Sequence, residues 1–185
     1  MARARTAKRT ALSRQVIVTT ALELLDQEGL GALSMRRLAD ALGVGTMSVY
    51  SYVADKADLI DGVAECVLAD VRLPSPGDPW VESTRRLAHS FRGVALSHPA
   101  AFQLLLARGP QPSRTALWAE VASVFREAGL STEESHRLFR AVSRFVIGWC
   151  LAEISDTKRR EGGDEDFAFS LDALLDGLER RLPRG

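Results

Sequence analysis

Apolar residues recur every three or four positions along most of the chain, and no stretch alternates convincingly with a period of two. This spacing places apolar side chains on one face of a helix, whereas a half-buried strand shows strict alternation. The first stripe consists of Ile17, Ala21, Leu24 and Leu25, and we expect its helix to span Ser13–Gly29. Residues that favour helix are also abundant. The pattern therefore predicts an all-α fold.

The stretch Ser34–Lys56 predicts two short helices, Ser34–Leu42 and Thr46–Tyr52, which are joined by the tight turn Gly-Val-Gly. Small turn residues let two helices meet at a steep angle. A helix as short as the second cannot stand alone in water, so its neighbours must hold it. Only Val49 and Val53 belong clearly in a core. The other side chains of this second helix are available to bind a partner. This arrangement is typical of a helix-turn-helix whose second helix enters the DNA major groove.

Further helices are expected after this unit, with a break at the proline-rich run Leu73–Pro79. Leu30 and Leu33 are expected to pack the link between the first two helices. We predict a flexible basic arm at residues 1–12, a three-helix helix-turn-helix domain at 13–60 and a larger helical domain at 61–185. The later helices are expected at Lys56–Arg72, Pro79–Ser97, Ala100–Ala107, Arg114–Ala128, Thr132–Ile154 and Asp166–Leu182.

The last two long helices carry the signal for self-association. The helix Thr132–Ile154 is apolar around most of its circumference, which is typical of a helix that is buried on most sides. A small subunit has difficulty burying such a helix alone, so we expect a partner subunit on one face. The final helix carries a single leucine stripe. We predict a homodimer in which both helices pair with their symmetry mates as a four-helix bundle. The alternative is that the last helix only covers its own core.

Composition is that of an ordinary soluble domain. The 185 residues are 46% hydrophobic and 26% charged, and the formal net charge is zero. The distribution of charge is more informative, because residues 1–14 contain five basic side chains and no acid. Such an arm suits a polyanion, although a solubilising disordered tail is equally consistent with it. The basic residues are Arg3, Arg5, Lys8, Arg9 and Arg14.

Cys66 and Cys150 have no metal-type spacing and are typical of small core residues in a reducing compartment. The basic arm is not followed by an uninterrupted apolar segment, so no signal peptide is indicated. No window has the length of a transmembrane helix, and the three histidines are scattered. We therefore expect a cytoplasmic protein with no membrane contact, no metal site and no cofactor.

The segment LSRQVIVTTALELLDQEGLGALSMRRLADALGVGTMSVYSYVADKADLIDGV resembles the N-terminal DNA-binding domain of the TetR family of bacterial transcriptional regulators. The likeness rests on a first helix that ends in glycine, on LADALGV, and on V-Y-x-Y-V-x-D-K-x-D-L at the end of the reading helix. The segments SHPAAFQLLLARGP, FREAGLSTEES and AVSRFVIGW are similar to the C-terminal domain of its tetracycline-repressor branch. This resemblance implies nine or ten helices, a homodimer and a small-molecule pocket in the second domain.

The resemblance implies phosphate contacts by Lys56, Tyr50 and Tyr52, and a DNA contact by Arg36. Short hydroxyls and a methionine at the start of the reading helix suit base edges and thymine methyl groups. The helix carries no Arg, Asn or Gln, so we expect modest direct readout, supplemented by Arg36, the basic arm and DNA shape. Ser51 stands where the family often has a larger aromatic residue. The candidate DNA-binding residues are Arg36, Thr46, Met47, Ser48, Tyr50, Tyr52 and Lys56.

Large apolar groups from several helices of the second region are candidates for an effector pocket. Each of them singly is more often a plain core residue. In the tetracycline-binding relatives a histidine on the short middle helix binds the magnesium of the drug, and Leu105 stands at that position here. The departure favours a hydrophobic or aromatic effector over magnesium–tetracycline. The candidates are Leu87, Phe91, Phe102, Leu105, Trp118, Val121, Phe125 and Phe145.

The sequence thus predicts a transcriptional regulator, by family default a repressor, which binds a palindromic operator as a homodimer and is released by a small molecule. No nucleophile–base set, phosphate loop or pair of carboxylates indicates an enzyme. Two alternatives stay open at this point. One is an activator of the same fold, and the other is a helical ligand-binding or interaction protein that does not bind an operator.

Overall fold

The computed structural model describes residues 11–73, 75, 77–108, 112–156 and 162–181, with residues 112–118 described by their backbone. Within these ranges every regular element is helical, with nine α-helices and one short 3-10 turn. The prediction of an all-α fold is therefore confirmed. The first ten residues of the predicted basic arm lie outside the described residues.

The helices are numbered in chain order. They are α1 (Arg14–Glu28), the 3-10 turn Leu30–Ala32, α2 (Met35–Leu42), α3 (Thr46–Tyr50), α4 (Lys56–Ala69), α5 (Trp80–Ser97), α6 (Pro99–Ala107), α7 (Pro112–Glu127), α8 (Thr132–Ser155) and α9 (Gly163–Glu179). In the described part of the chain, no helix has the combination of length and apolarity that a bilayer span requires.

Local signals place the helix ends around the turn motif. The hydroxyl of Ser34 accepts a hydrogen bond from the backbone N–H of Arg37 at 3.1 Å, and a carboxylate oxygen of Asp55 accepts one from the N–H of Asp58 at 2.8 Å. These bonds satisfy donors that the first turn of a helix leaves without an intrahelical partner. Gly43 ends α2 in the left-handed conformation with φ +65°, which glycine adopts without strain.

Several sequence-based expectations need correction, and one of them is the end of α3, which is Tyr50 rather than Tyr52. The helix α4 ends at Ala69 rather than Arg72, because Asp70 and Val71 form i→i+3 bonds that tighten the last turn. The helix α9 begins at Gly163 rather than Asp166, so the acidic run there is a helical first turn in which carboxylates favour the macrodipole. Leu30 is exposed, and Leu33 alone packs the link after α1.

The first hydrophobic core joins α1, α2, α3 and α4. Side chains of α1 pack directly against Gly62 of α4. A Cβ atom at this position would lie 2.6 Å from Nη1 of Arg14 and 2.7 Å from Cγ2 of Val18, which is too short for ordinary packing. The absence of a side chain at Gly62 therefore sets the distance between the two helices.

The helix α6 belongs to both halves of the molecule. Ala101 lies in the first core, whereas Phe102 and Leu105 lie in the second core. Polar side-chain contacts hold both ends of α6 to the N-terminal helices. His98 Nδ1 lies 2.8 Å from a carboxylate oxygen of Asp26 on α1, and Arg108 Nε lies 2.9 Å from a carboxylate oxygen of Asp61 on α4. The predicted division at residue 60 thus falls within α4, whose residues contribute to both cores.

The second core consists of α5, α6, α8 and α9, with α7 packed beside it. Helices α5, α7 and α9 of the same chain pack against α8, while Phe145, Ile147 and Trp149 of α8 stay partly exposed. Two large apolar side chains do stand exposed on these helices, Leu151 on α8 and Phe169 on α9, and Phe169 retains 77% of its accessible surface.

Candidate nucleic-acid interface and effector region

The five-residue helix α3 is anchored by one valine within it and by a second valine three residues after its end. Val49 and Val53 are fully buried in the first core, where Leu38 and Ala39 of α2 are buried as well. A helix of this length has too few hydrogen bonds to offset the loss of backbone freedom, so the packing of these side chains holds it in place. The prediction that these two valines face the core is confirmed.

The outer side of α3 presents polar and aromatic groups. Met47 is 77% exposed, and Ser48, Tyr50 and Tyr52 are also exposed, while Thr46 is half-buried. These side chains therefore share an accessible surface at the reading end of the helix-turn-helix. Met47 and Tyr50 are thus exposed on α3 itself, and Tyr52 is exposed in the turn that follows it.

Ser51 takes part in a contact within its own turn. Its hydroxyl donates to the backbone carbonyl of Met47 at 3.2 Å, a bond that reaches back four residues. The hydroxyl group is therefore engaged in ending α3. The family often carries a larger aromatic residue at this position, and Ser51 here makes a local hydrogen bond instead.

The two basic residues at the start of α2 have different environments. The guanidinium group of Arg37 is paired with Glu28 at the end of α1, and hydrogen bonding to Glu28 raises the pKa of Arg37. Arg36 is exposed and forms no ion pair within the described ranges. Lys56, in the first turn of α4, is exposed too. Arg36 and Lys56 thus present positive charge on the same domain as the reading helix.

Asp58 holds the turn between α3 and α4. One carboxylate oxygen accepts a hydrogen bond from the backbone N–H of Ala54 at 2.8 Å, and the other pairs with Arg14 of α1. The hydrogen bond from the backbone N–H of Ala54 lowers the pKa of Asp58 most. The hydrogen bond and the positive charge of Arg14 lower it further. The sequence pattern did not single out Asp58 as a site residue. The structure shows that it ties the segment after the reading helix to α1.

Replacing Asp58 with Asn is expected to lower the free energy of unfolding at pH 7 by about 1–2 kcal/mol, because a charge-assisted hydrogen bond and an ion pair are lost. The folded-state pKa of Asp58 is lowered, so its contribution is present above the unfolded pKa and lost as the pH falls through the folded pKa. The difference between the two proteins should therefore shrink below about pH 4. Urea unfolding across this range measures it.

Asp55→Asn is the matched control, because it removes the same charge three residues away at a position where asparagine caps a helix equally well. It should change stability little. A pH-independent loss for Asp58→Asn, or an equal loss for both variants, would contradict the assigned role of Asp58.

The seven effector candidates with described side chains fall into two packing clusters. Phe91, Phe102, Leu105 and Phe145 belong to the second core, where the rings of Phe91 and Phe102 lie 5.7 Å apart. The other described candidates form a separate cluster around α7 that is linked to the second core through Trp80. Its members among the candidates are Leu87, Val121 and Phe125, while the side chain of Trp118 lies outside the described residues. Phe102, Leu105, Val121 and Phe125 are buried, so their side chains serve as packing in this structure.

A cavity of about 1140 Å³ opens elsewhere, between the end of α5, the end of α8 and the start of α9. Phe145 lines it, and it is the one sequence-predicted effector residue among the lining residues. Trp149 stands beside Phe145 with 5.6 Å between the ring centroids. We call this cavity, with the wall formed by Phe145 and Trp149, the α8 groove.

Arg92 is the main feature of the α8 groove that sequence reasoning missed. This arginine is 8% exposed, and its Nε and Nη2 donate to the two carboxylate oxygens of Glu153 at 2.7 Å each. Its Nη1 donates to Asp164 at 2.8 Å, and the guanidinium carbon lies 4.9 Å from the ring centroid of Phe167. The bidentate hydrogen bonding to Glu153 is the main cause that raises the pKa of Arg92.

A short, valine-anchored helix that exposes tyrosines and a methionine, next to a second helix and a glycine turn, defines a helix-turn-helix protein of the DNA-binding class. Residues 17–63 match the family described as bacterial regulatory proteins, tetR family, and residues 73–162 match the tetracyclin repressor-like C-terminal domain. The chain belongs to the TetR family of bacterial transcriptional regulators. The sequence-based assignment to this family is confirmed.

The chain resembles both curated regulators and solved structures. An HTH-type transcriptional regulator from Saccharopolyspora erythraea is 35% identical over 144 residues, which are 77% of this chain and 61% of that protein. The tetracycline repressor protein class D from Escherichia coli is 30% identical over 198 residues and is matched over 92% of this chain and 91% of its own length. The TetR family protein ActR from Streptomyces coelicolor, solved in complex with (S)-DNPA, is 27% identical with a TM-score of 0.80, over 94% of this chain and 100% of that chain.

Proposed function

We propose that this chain is a ligand-responsive repressor, which binds a palindromic operator as a homodimer and is released by a small hydrophobic or aromatic effector. The observation that carries the proposal is the outer side of α3 and of the turn after it, which exposes Met47, Tyr50 and Tyr52 while two buried valines fix this segment. In a helix-turn-helix this side faces the base pairs and the flanking phosphates. Such a protein acts where the chromosome lies, in the cytoplasm.

The proposed DNA contacts are of two kinds, namely phosphate contacts that position the protein on the duplex and base contacts that recognise the sequence. Lys56, Tyr50 and Tyr52 bind phosphate oxygens and fix the register of the domain on the duplex. Thr46, Met47 and Ser48 lie against base edges, with hydroxyls for polar groups and the thioether for a thymine methyl. Arg36 adds a charged contact from α2. We assign this role to residues 13–60 and assign effector binding and dimerisation to residues 61–185.

The homodimer is proposed to form through α8 and α9. Leu151 and Phe169 are large apolar side chains that stand exposed on these helices in a single chain. Their burial against a second copy removes apolar surface from water, which is the main driving force for stable association. A dimer with twofold symmetry also places two reading helices about one or more helical turns apart, which matches a palindromic operator.

Release requires that effector binding changes the spacing or orientation of the reading helices. The helix α6 supports this coupling, because its side-chain contacts with Asp26 and Asp61 reach α1 and α4 while Phe102 and Leu105 lie in the second core. A shift of α6 on effector binding therefore acts directly on the DNA-binding helices. A typical coupling of about 1–3 kcal/mol changes operator affinity roughly 5–150-fold.

The test uses an operator selected from a random duplex pool by the full-length protein. Replacing Lys56 or Arg36 with alanine should weaken operator binding and reduce the slope of log affinity against log salt by about 2, since each substitution removes one phosphate contact from each of the two subunits. Titrations of labelled operator at several salt concentrations, followed by fluorescence anisotropy, give both quantities.

Arg37→Ala is the matched control, because it removes an identical charge beside Arg36 that already pairs with Glu28. It should leave the salt slope nearly unchanged. If the full-length protein selects no sequence even at low salt, or if Arg36→Ala, Arg37→Ala and Lys56→Ala behave alike, the proposed reading surface is wrong.

A further inference from the structure

We propose that the homodimer is joined by a knob-into-hole contact, in which the ring of Phe169 on α9 packs over Gly148 on α8 of the partner subunit. Arg144 on α8 forms an ion pair with the partner's Asp166 beside this contact. The inference rests on the homodimer proposed above, and it goes further in naming the contacting residues and the relative direction of the helices. Twofold symmetry makes each contact occur twice.

The outer face of α9 is a stripe of exposed residues at helical spacing, namely Asp166, Phe169, Ala173 and Asp176. Phe169 retains 77% of its accessible surface, so the small side chain of Ala173 one turn further does not cover the ring. Arg180 ends the stripe, where its Nε donates to the backbone carbonyl of Asp176. The ring of Phe169 is therefore an apolar knob between two carboxylates.

The outer face of α8 offers a notch for this knob. Gly148 is exposed, and a Cβ atom built there would meet nothing within 4 Å. Glycine is unfavourable in the middle of a helix, but it permits another element to approach the backbone closely. The exposed neighbours one turn away on this face are Arg144 and Leu151. The notch thus has a charged residue on one side and an apolar residue on the other side.

The direction of the helices in the dimer follows from symmetry. The helices α8 and α9 are consecutive and pack against each other, as antiparallel neighbours in helix bundles do. A twofold axis that crosses them reverses the partner, so the partner's α9 runs in the same direction as α8. With the partner's Phe169 at Gly148, the rise of about 1.5 Å per residue brings the partner's Ala173 to within about 1.5 Å of the level of Leu151. These two apolar side chains then pack beside the ring.

The same alignment brings opposite charges together. Arg144 comes to within about 1.5 Å of the level of the partner's Asp166 along the helix axis. Both side chains are exposed, and neither has an ion pair in the described part of the chain. An antiparallel alignment would instead place the carboxylate of Asp166 against Leu151 and leave Arg144 opposite a small apolar residue. The charges therefore favour the parallel alignment and disfavour the antiparallel one.

The variants Arg144→Glu and Asp166→Lys test the ion pair by a charge swap. Each variant alone places like charges at both copies of the contact, so the dimer dissociation constant of the full-length protein should rise at least about tenfold in sedimentation equilibrium. In a heterodimer of the two variants, both contacts again join opposite charges. A mixture should therefore associate to within about threefold of wild type. Absence of this recovery would overturn the proposed alignment.

Arg140→Glu and Asp176→Lys are the matched control pair. They reverse the same charges on the same two exposed faces, at positions that the parallel alignment does not bring together. Each variant should weaken the dimer by less than about threefold, and a mixture should associate no more tightly than the two variants do singly. If this pair recovers on mixing and the first pair does not, the helices run in opposite directions and the proposed contact is wrong.

Gly148→Leu tests the notch. Leucine is a better helix former and the position is open, so urea unfolding at low protein concentration should show a chain that is no less stable than wild type. The dimer should nevertheless weaken at least about tenfold, because the new side chain occupies the place of the partner's ring. Combining Gly148→Leu with Phe169→Ala should restore part of the association. Gly93→Leu, at an exposed and open glycine of α5, is the control and should leave the dimer unchanged.

The outcomes separate this contact from the function proposed above. A wild-type protein that stays monomeric at every concentration overturns both the contact and the homodimer. A dimer that is unchanged by Arg144→Glu, Asp166→Lys and Gly148→Leu overturns the contact and leaves the homodimer and operator binding standing. Recovery in the charge-swap mixture, together with selection of no DNA sequence, supports the contact and overturns the repressor function.

Discussion

Replacing Phe167 with alanine is expected to lower the free energy of unfolding by about 3–5 kcal/mol, the usual loss when a buried aromatic ring leaves a cavity. Phe167 is 0% exposed and lies at the centre of a group of rings. Its centroid is 5.9 Å from that of Phe145, 5.7 Å from that of Trp149 and 5.0 Å from that of His89. The guanidinium group of Arg92 also lies over the ring. Guanidinium chloride unfolding at several protein concentrations measures the loss.

Phe169→Ala is the matched control on the same helix. Its ring is 77% exposed in the single chain, so the intrinsic loss of stability should be small. We expect instead a weaker dimer in sedimentation experiments, and a loss of apparent stability that depends on protein concentration. If Phe169→Ala destabilises the protein as much as Phe167→Ala at every concentration, the assignment of one ring to the core and the other to the subunit contact is wrong.

Replacing Arg92 with methionine is expected to lower the free energy of unfolding by about 3 kcal/mol, because removal of one partner leaves a buried charge without compensation. The loss should come mainly from Glu153, whose side chain is 24% exposed, since Asp164 is 92% exposed and is solvated by water. Methionine retains most of the apolar stem of arginine, so the change tests the charge more than the volume. Urea unfolding measures the effect.

Arg86→Met serves as the control for Arg92→Met. Arg86 lies on the same helix and pairs with Asp78, but its side chain is 50% exposed. Surface ion pairs contribute about 0–1 kcal/mol, so this variant should be close to wild type. Adding Glu153→Gln to Arg92→Met should restore part of the lost stability. If it restores none, Arg92 does not stabilise the fold through this pair.

Local features of the structure could be predicted from the sequence, because they depend on residues that are close in the chain. The caps Ser34 and Asp55, the glycine turn and the burial of Val49 and Val53 all follow from spacing and residue type. Contacts between distant residues could not be predicted in this way. Arg92 is 61 residues from Glu153 and 72 residues from Asp164, and no periodicity relates such positions.

The effector candidates show the same limit. Spacing indicated that Phe102, Leu105, Val121 and Phe125 point inward, and all four are buried. Whether an inward side chain borders a cavity or fills the core depends on how closely the helices pack, and one sequence does not contain this distance. The closeness of α1 and α4 at Gly62 is a comparable case, since a helical glycine has no periodic signature.

The position of α6 has a consequence for hybrid regulators, in which the DNA-binding half of one relative is joined to the effector half of another. A junction in the proline-rich segment before α5 keeps each half of the sequence intact, yet it separates Asp26 and Asp61 from their partners His98 and Arg108. A donor half that lacks matching groups brings two uncompensated carboxylates and a mismatched surface to Ala101. Compatibility between such halves is thus decided by α6 more than by the linker.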